Sequence, residues 1–195
     1  MAKTSDICLK GVSLYFLPIQ TRIPLKFGPE TLTYVTCARA CVRVEDKKGR
    51  SAIGWGETPL SVQWVWPSSI TYQERNEALQ NFCIKLASEW TKFMESGHPI
   101  EIGHAFQTYK LKDLLDDFNK NGKHSEPMPW LAGLVCCSVI DIAIHDAYGN
   151  LHQIPIYETY NSEYMSQDLS YFLVPAEGKG NIFDGKYPSD FLIYP

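Results

Sequence analysis

Between Trp130 and Gly149 any helix drawn through the chain is apolar almost all round, with only Ser138, Asp141, His145 and Asp146 as polar breaks. Pro127 and Pro129 precede the run and Gly149-Asn150 closes it, which predicts a helix over about 130–150. A helix apolar on nearly every side is buried on most of them. The rest of the chain must therefore wall it in, and those walls set the fold class.

The first sixty residues carry the two-residue period of strands. Residues 7 to 17 form a first strand, and Pro18 and Pro24 bracket a loop that runs to Pro29. Residues 31 to 46 form a second strand. Tyr34, Thr36, Ala38, Ala40, Val42 and Val44 share one face; Val35, Cys37, Arg39, Cys41, Arg43 and Glu45 share the other. Asp46-Lys47-Lys48-Gly49 is a hairpin turn, and residues 51 to 58 return as a third strand.

After Pro67 the period lengthens. Thr71-Tyr72-Gln73-Glu74 is a capping box, and Leu79, Phe82, Leu86, Trp90 and Phe93 follow at helical spacing toward Gly97 and Pro99. Phe106, Tyr109, Leu114, Leu115 and Phe118 mark a shorter second helix ending near Asn121-Gly122. The predicted class is α+β: a three-stranded antiparallel meander over about 7–58, then a helical bundle over about 71–150. A lone meander and two helices offer little surface for so apolar a third helix, so a further partner surface is expected. The stretch 157–195 has no helical period and closes on the apolar run Phe191-Leu192-Ile193-Tyr194-Pro195, where termini are usually polar, so the chain reads as cut there.

With 18 basic against 22 acidic side chains the net charge is −4, which disfavours a nucleic-acid partner. The polar start has no apolar signal core. The run from Trp130 to Ile140 is cut by Asp141, short of the roughly 20 residues of a membrane span, so a soluble protein without a membrane partner is expected. Cysteines 8, 37, 41, 83, 136 and 137 form no Cys-x-x-Cys pair and read as buried, reduced thiols of a cytoplasmic protein.

Few side chains suggest chemistry. Ser138, Asp141 and His145 share a helix face, but Ser138 and His145 would lie roughly 10 Å apart along the axis, where a nucleophile and its base need about 3 Å. Asp141 and His145 at i, i+4 are ordinary helix neighbours. His98, His104 and His124, with Glu101 and Asp113, match no metal-ligand spacing. Gly54-Trp55-Gly56-Glu57 is too short for a phosphate loop; its glycines suit close packing of the backbone, and Glu57 is placed to hold a loop through backbone amides. Trp64 and Trp66 form either a clamp over an apolar ligand or a local core under the first helix. Arg22 and Lys26 are solvated, or meet an acidic substrate.

Three blocks in this order resemble the N-terminal capping domain of the enolase superfamily, in its mandelate racemase/muconate lactonizing branch. They are Arg22-Ile23-Pro24-Leu25-Lys26-Phe27-Gly28 with the strand after it, Gly54-Trp55-Gly56-Glu57-Thr58-Pro59, and Ser138-Val139-Ile140-Asp141-Ile142-Ala143-Ile144-His145-Asp146-Ala147-Tyr148-Gly149 with Ile154-Pro155-Ile156. The resemblance implies a capping domain over residues 1–160 and a crossing segment, 161–195, toward a catalytic (β/α)-barrel. In such enzymes the barrel holds Mg²⁺ and bases that remove a proton α to a carboxylate, in lyase or isomerase reactions. The cap closes the barrel mouth with two segments, here about 18–28 and 58–67, and selects a carboxylate substrate such as a sugar acid. Arg22, Ile23, Lys26, Phe27, Glu57, Thr58, Trp64 and Trp66 are then the substrate-facing candidates.

A barrel needs roughly 250 residues, so catalytic residues, metal ligands and Mg²⁺ binding are expected to be missing from this chain, which alone is expected to be inactive. Its partners would be its own barrel, a small carboxylate and, through two-fold contacts, further copies of itself. The competing expectation is a stand-alone binding or assembly module that reuses the cap fold without catalysis.

Overall fold

The computed structural model describes residues 2–27, 30–122 and 124–193. Strands β1 (Ile7–Phe27), β2 (Glu30–Asp46) and β3 (Ser51–Pro59) form an antiparallel meander. A fourth strand absent from the sequence reading, β4 (Ser96–Gly97), pairs with Ile7 and Cys8 and makes the order β3-β2-β1-β4. Alternation works as predicted over Ala38, Ala40, Val42 and Val44, all fully buried, and fails at Tyr34, which is exposed.

The expected loop from Pro18 is instead strand. β1 continues to Phe27, with Pro18 opposite Thr36. β4 flanks β1 only at Ile7 and Cys8, so at Pro18 β1 is an edge strand, where a missing N–H costs least. The register shifts between Gln20↔Tyr34 and Leu25↔Leu32, so Thr21, Arg22, Ile23 and Pro24 bulge opposite Thr33 alone. Gly28 and Pro29 lie outside the described residues, as do Tyr194 and Pro195.

A single turn, α1 (Val62–Val65), follows β3. In α2 (Tyr72–Lys92) the Thr71/Glu74 capping box is present and Leu79, Phe82, Leu86 and Trp90 are buried. The second helical region is longer than expected. α3 (Pro99–Phe106) passes through a π turn, Gln107–Leu111, into α4 (Lys112–Asn121). His98 is its N-cap and Pro99 its first residue.

The third predicted helix is α5 (Trp130–His152), stopped by Gln153 in the left-handed region at φ 57°. As expected, it runs through Asp141; by length and hydropathy it is apolar enough to cross a membrane, as the core helix of a soluble protein can also be. Half of its apolar window is buried inside the domain, as in a core helix.

β3 lies against α5 with almost no side chain between them. A Cβ on Gly54 would fall 2.1 Å from the Ala147 nitrogen, and one on Gly56 2.3 Å from the Val139 oxygen. The same helix covers the open edge of β3: Asp146 Oδ2 accepts the Trp55 N–H at 2.8 Å, and Asn150 Nδ2 donates to the Ile53 carbonyl at 3.0 Å. After α5 come a 3₁₀ turn, Ile156–Thr159, the short α6 (Leu169–Phe172) and a second 3₁₀ turn, Pro188–Asp190. All six cysteines are free; Cys83, Cys136 and Cys137 are buried, while Cys8, Cys37 and Cys41 are only partly so. Burial pushes the Cys136 and Cys137 thiols up, so they pack rather than react.

Candidate functional site

The two predicted substrate segments both flank one end of β2, where Gln20 pairs with Tyr34 and Leu25 with Leu32 on one side and Pro59 with Cys37 on the other. The last β2–β3 pair is Cys37↔Pro59, after which the Leu60 N–H donates to the Thr36 carbonyl at 2.8 Å. This turns α1 back beside the far end of the β1–β2 hairpin. A cavity of about 390 Å³ lies there, lined by Thr31, Thr33 and Tyr34 of β2 with Gln63 and Tyr72. Gln63 Oε1 is buried with no hydrogen-bond partner among the described residues, which leaves an acceptor at this cleft.

The predicted residues divide. Arg22 and Lys26 are exposed, as is Ile23 at 73%. The side chain of Phe27 lies outside the described part. Trp64 is 56% exposed, whereas Trp66 is 2% exposed beneath α2, where its carbonyl accepts from the buried Arg75 guanidinium. Trp66 is therefore a core residue and not half of a clamp. Thr58 is buried, its hydroxyl 2.9 Å from Ser138 Oγ. Among the described residues Glu57 holds no loop amides; it pairs with Arg39 across the ladder at 2.8 Å.

The residues first considered as metal ligands do other work. Imidazole Nδ1 of His98 accepts the Ile100 N–H, while Glu101 returns Oε2 to the His98 N–H and offers Oε1 to the N–H groups of Ser166 and Gln167. His104 meets the rings of Tyr171 and Phe172, and His124 stands edge-on to Trp66. Asp113 is exposed on α4. Among the described residues no three His, Cys, Asp or Glu side chains gather to hold a metal ion.

A titratable cluster is where the sequence reading fell short. Ser138, bonded to Val135 O and Thr58, is no part of a triad. Asp141 Oδ2 lies 3.9 Å from His145 Nε2, too far for a hydrogen bond. Tyr160, fifteen residues away, hydrogen-bonds His145 Nδ1 at 2.8 Å through its hydroxyl. Behind it, fully buried His98 puts Nε2 2.8 Å from Thr159 Oγ1. Burial, with the neighbouring His145 and His152 charges adding, lowers His98 to about 3; burial also lowers His145 to about 4 and raises Asp141 to about 6.

These shifts predict acid sensitivity. Below the ordinary histidine value of 6.5 the unfolded chain takes up protons at positions 98 and 145 that the fold does not, so stability falls with pH. Asp141 opposes this, because below about 6 the fold binds its proton before the unfolded chain does. The balance is about one proton, or about 1.4 kcal/mol per pH unit. Urea unfolding at pH 7 and pH 5 should show a loss of about 2 kcal/mol; equal stabilities would refute it.

No family model and no curated protein matches the chain. Its fold is similar to several solved structures. One is a dipeptide epimerase from Enterococcus faecalis complexed with Mg and a dipeptide, at 14% identity and TM-score 0.45, over 80% of this chain and 35% of that one. Another is a mandelate racemase/muconate lactonizing enzyme-like protein from Rubrobacter xylanophilus, at 14% identity and TM-score 0.39, over 77% and 33%. A third is L-talarate/galactarate dehydratase from Salmonella typhimurium, at 15% identity and TM-score 0.44, over 78% and 32%. These similarities extend over about four-fifths of this chain, which spans about a third of the length of the structures it matches.

Proposed function

We propose that the chain is the N-terminal capping domain of an enolase-superfamily enzyme of the mandelate racemase/muconate lactonizing type. It closes an active site in a barrel domain and selects a carboxylate substrate, such as a sugar acid, for α-proton abstraction leading to dehydration, epimerisation or cycloisomerisation. The observation that carries this reading is the cleft between Gln63 of the β3–α1 connection and Thr31, Thr33 and Tyr34, the end of β2 whose other edge pairs with the β1 bulge region. Two segments remote in sequence are presented together at one end of the sheet, as a lid must be.

Each exposed side chain has a role there. Arg22 and Lys26 offer charge to a carboxylate. Ile23 and Trp64 offer apolar cover that excludes water. Thr58, Glu57 and Trp66 hold the frame instead. Mg²⁺ supplies enolate stabilisation in such enzymes. The described residues of this chain do not fit the ion, so no step through it is assigned to them. Residues 1–160 form the cap and 161–195 lead toward the barrel; exposed Val174, Phe191 and Ile193 support an apolar contact for that segment. Free cysteines support a reducing cytoplasmic setting.

The mass of the native gene product, detected in source cells with an antibody to this chain, tests the proposal. The expected species exceeds 22.2 kDa by the mass of a barrel of roughly 250 residues. A native product of 22.2 kDa would overturn it and leave the stand-alone module.

A further inference from the structure

Away from the lid cleft, a second cavity of about 400 Å³ opens where β3, α5 and the Ile156–Thr159 turn meet. The capping role makes no use of it. We propose that this cavity binds a small organic cation, a primary alkylammonium group, whose N–H donors meet Asp141 while its carbon chain lies against the rings of Trp55 and Tyr157.

The Asp141 carboxylate carries the inference. It lines the cavity, and no described donor hydrogen-bonds it: His145 Nε2 stands 3.9 Å from Oδ2, too far for such a bond. That imidazole is held neutral by burial and has its other nitrogen occupied by Tyr160. It therefore supplies no countercharge. A half-buried carboxylate without donors is costly unless a cation or a proton joins it, and burial has already raised this one to about 6.

The chain makes room for it deliberately on the far side. A Cβ on Gly103 would come within 2.2 Å of Asp141 Oδ1, so the bare glycine backbone of α3 is what lets the carboxylate sit there.

The remaining lining selects for positive charge. A second carboxylate, Asp146, stands at the wall, fixed by the Trp55 N–H at 2.8 Å and by Asn150 Nδ2 at 3.3 Å. No lysine or arginine lines the cavity, while Trp55, Tyr157 and Tyr160 do. Aromatic faces beside carboxylates are the surroundings an ammonium group prefers. The volume is that of a small-molecule site. An anion would meet two carboxylates and no lysine or arginine among the described lining, and a neutral alcohol would leave the charge of Asp141 unanswered.

Calorimetric titration of the 195-residue chain with n-butylammonium chloride at pH 7.5, beside n-butanol, tests this. Saturable binding with a Kd of about 1 mM is expected for the cation. Butanol should bind at least about tenfold more weakly, since it forgoes a charge-assisted hydrogen bond. Asp141→Asn should lose about tenfold or more for the cation, and Tyr157→Ala, at an exposed position, about two- to fivefold. Thermal melts of both variants establish that they fold. Absence of saturable heat, equal affinity for butanol, or unchanged affinity in folded Asp141→Asn would each overturn the proposal. The result is independent of the native mass, so this site and the capping role stand or fall separately.

Discussion

Gly54→Ala is expected to cost about 3 kcal/mol or more, the upper range for overpacking a tight contact. The added Cβ would sit 2.1 Å from the Ala147 nitrogen, 2.4 Å from the Ala143 oxygen and 2.6 Å from the Ala147 Cα. All three are backbone atoms of α5, so no side chain can swing aside and the whole helix must lift from the sheet. Lifting it would strain the two bonds that close the β3 edge, Trp55 N–H to Asp146 and Asn150 to the Ile53 carbonyl. Gly11→Ala is the matched control. It lies in β1 with nothing within 4 Å of an added Cβ. There the change should leave stability level or raise it by about 0.5 kcal/mol, because alanine has less unfolded-state entropy to lose. Urea midpoints for the two variants decide the matter. Similar small effects would mean that α5 and β3 are not in backbone contact, and the account of the core would fail with it.

Much of this was legible because local signals agreed with the tertiary outcome. Alternation over Ala38–Val44, the Thr71/Glu74 box and the apolar run after Pro129 each demand one kind of element, and burial rewards all three. The role of Gly54 and Gly56 was legible too, since two bare positions flanking a tryptophan on a strand have few other uses. Misreadings came where meaning depends on neighbours distant in sequence. Pro18 breaks a central strand but not an edge one, and nothing near position 18 says which β1 is. His98-Pro99-Ile100-Glu101 did carry a helix start, with proline at the first turn and glutamate three residues past the cap; weighing His98 as a ligand hid it. The site divided in the same way. That two segments would serve one site was implied by the family resemblance alone, whereas the bond from Tyr160 to His145 and the missing donor at Asp141 have no sequence signature at all.

Trp66→Ala is expected to cost about 3–5 kcal/mol, and Trp64→Ala, two residues away, no more than about 0.5 kcal/mol. Both stand in the connection from β3 to α2 and look alike in sequence. The turn α1 separates them. Its C-cap, Trp66, donates its N–H to the Val62 carbonyl and points inward. There the indole lies edge-on to the His124 ring at 5.9 Å, and the residue's own carbonyl takes a hydrogen bond from Arg75, a guanidinium almost wholly buried. Removing the ring opens a cavity beside that charge, and both the lost contact and the loosened acceptor work against folding. Trp64 is more than half exposed and gives up little when truncated. Under the proposed capping role, the pair separates holding the frame from covering what binds beneath it. If Trp64→Ala proved as damaging as Trp66→Ala, Trp64 would be packed rather than presented, and the lid would keep only Arg22, Ile23 and Lys26 to meet a substrate. If Trp66→Ala proved harmless, α1 would not be anchored under α2, and the cleft shared with Gln63 and Tyr34 would have no fixed wall on that side.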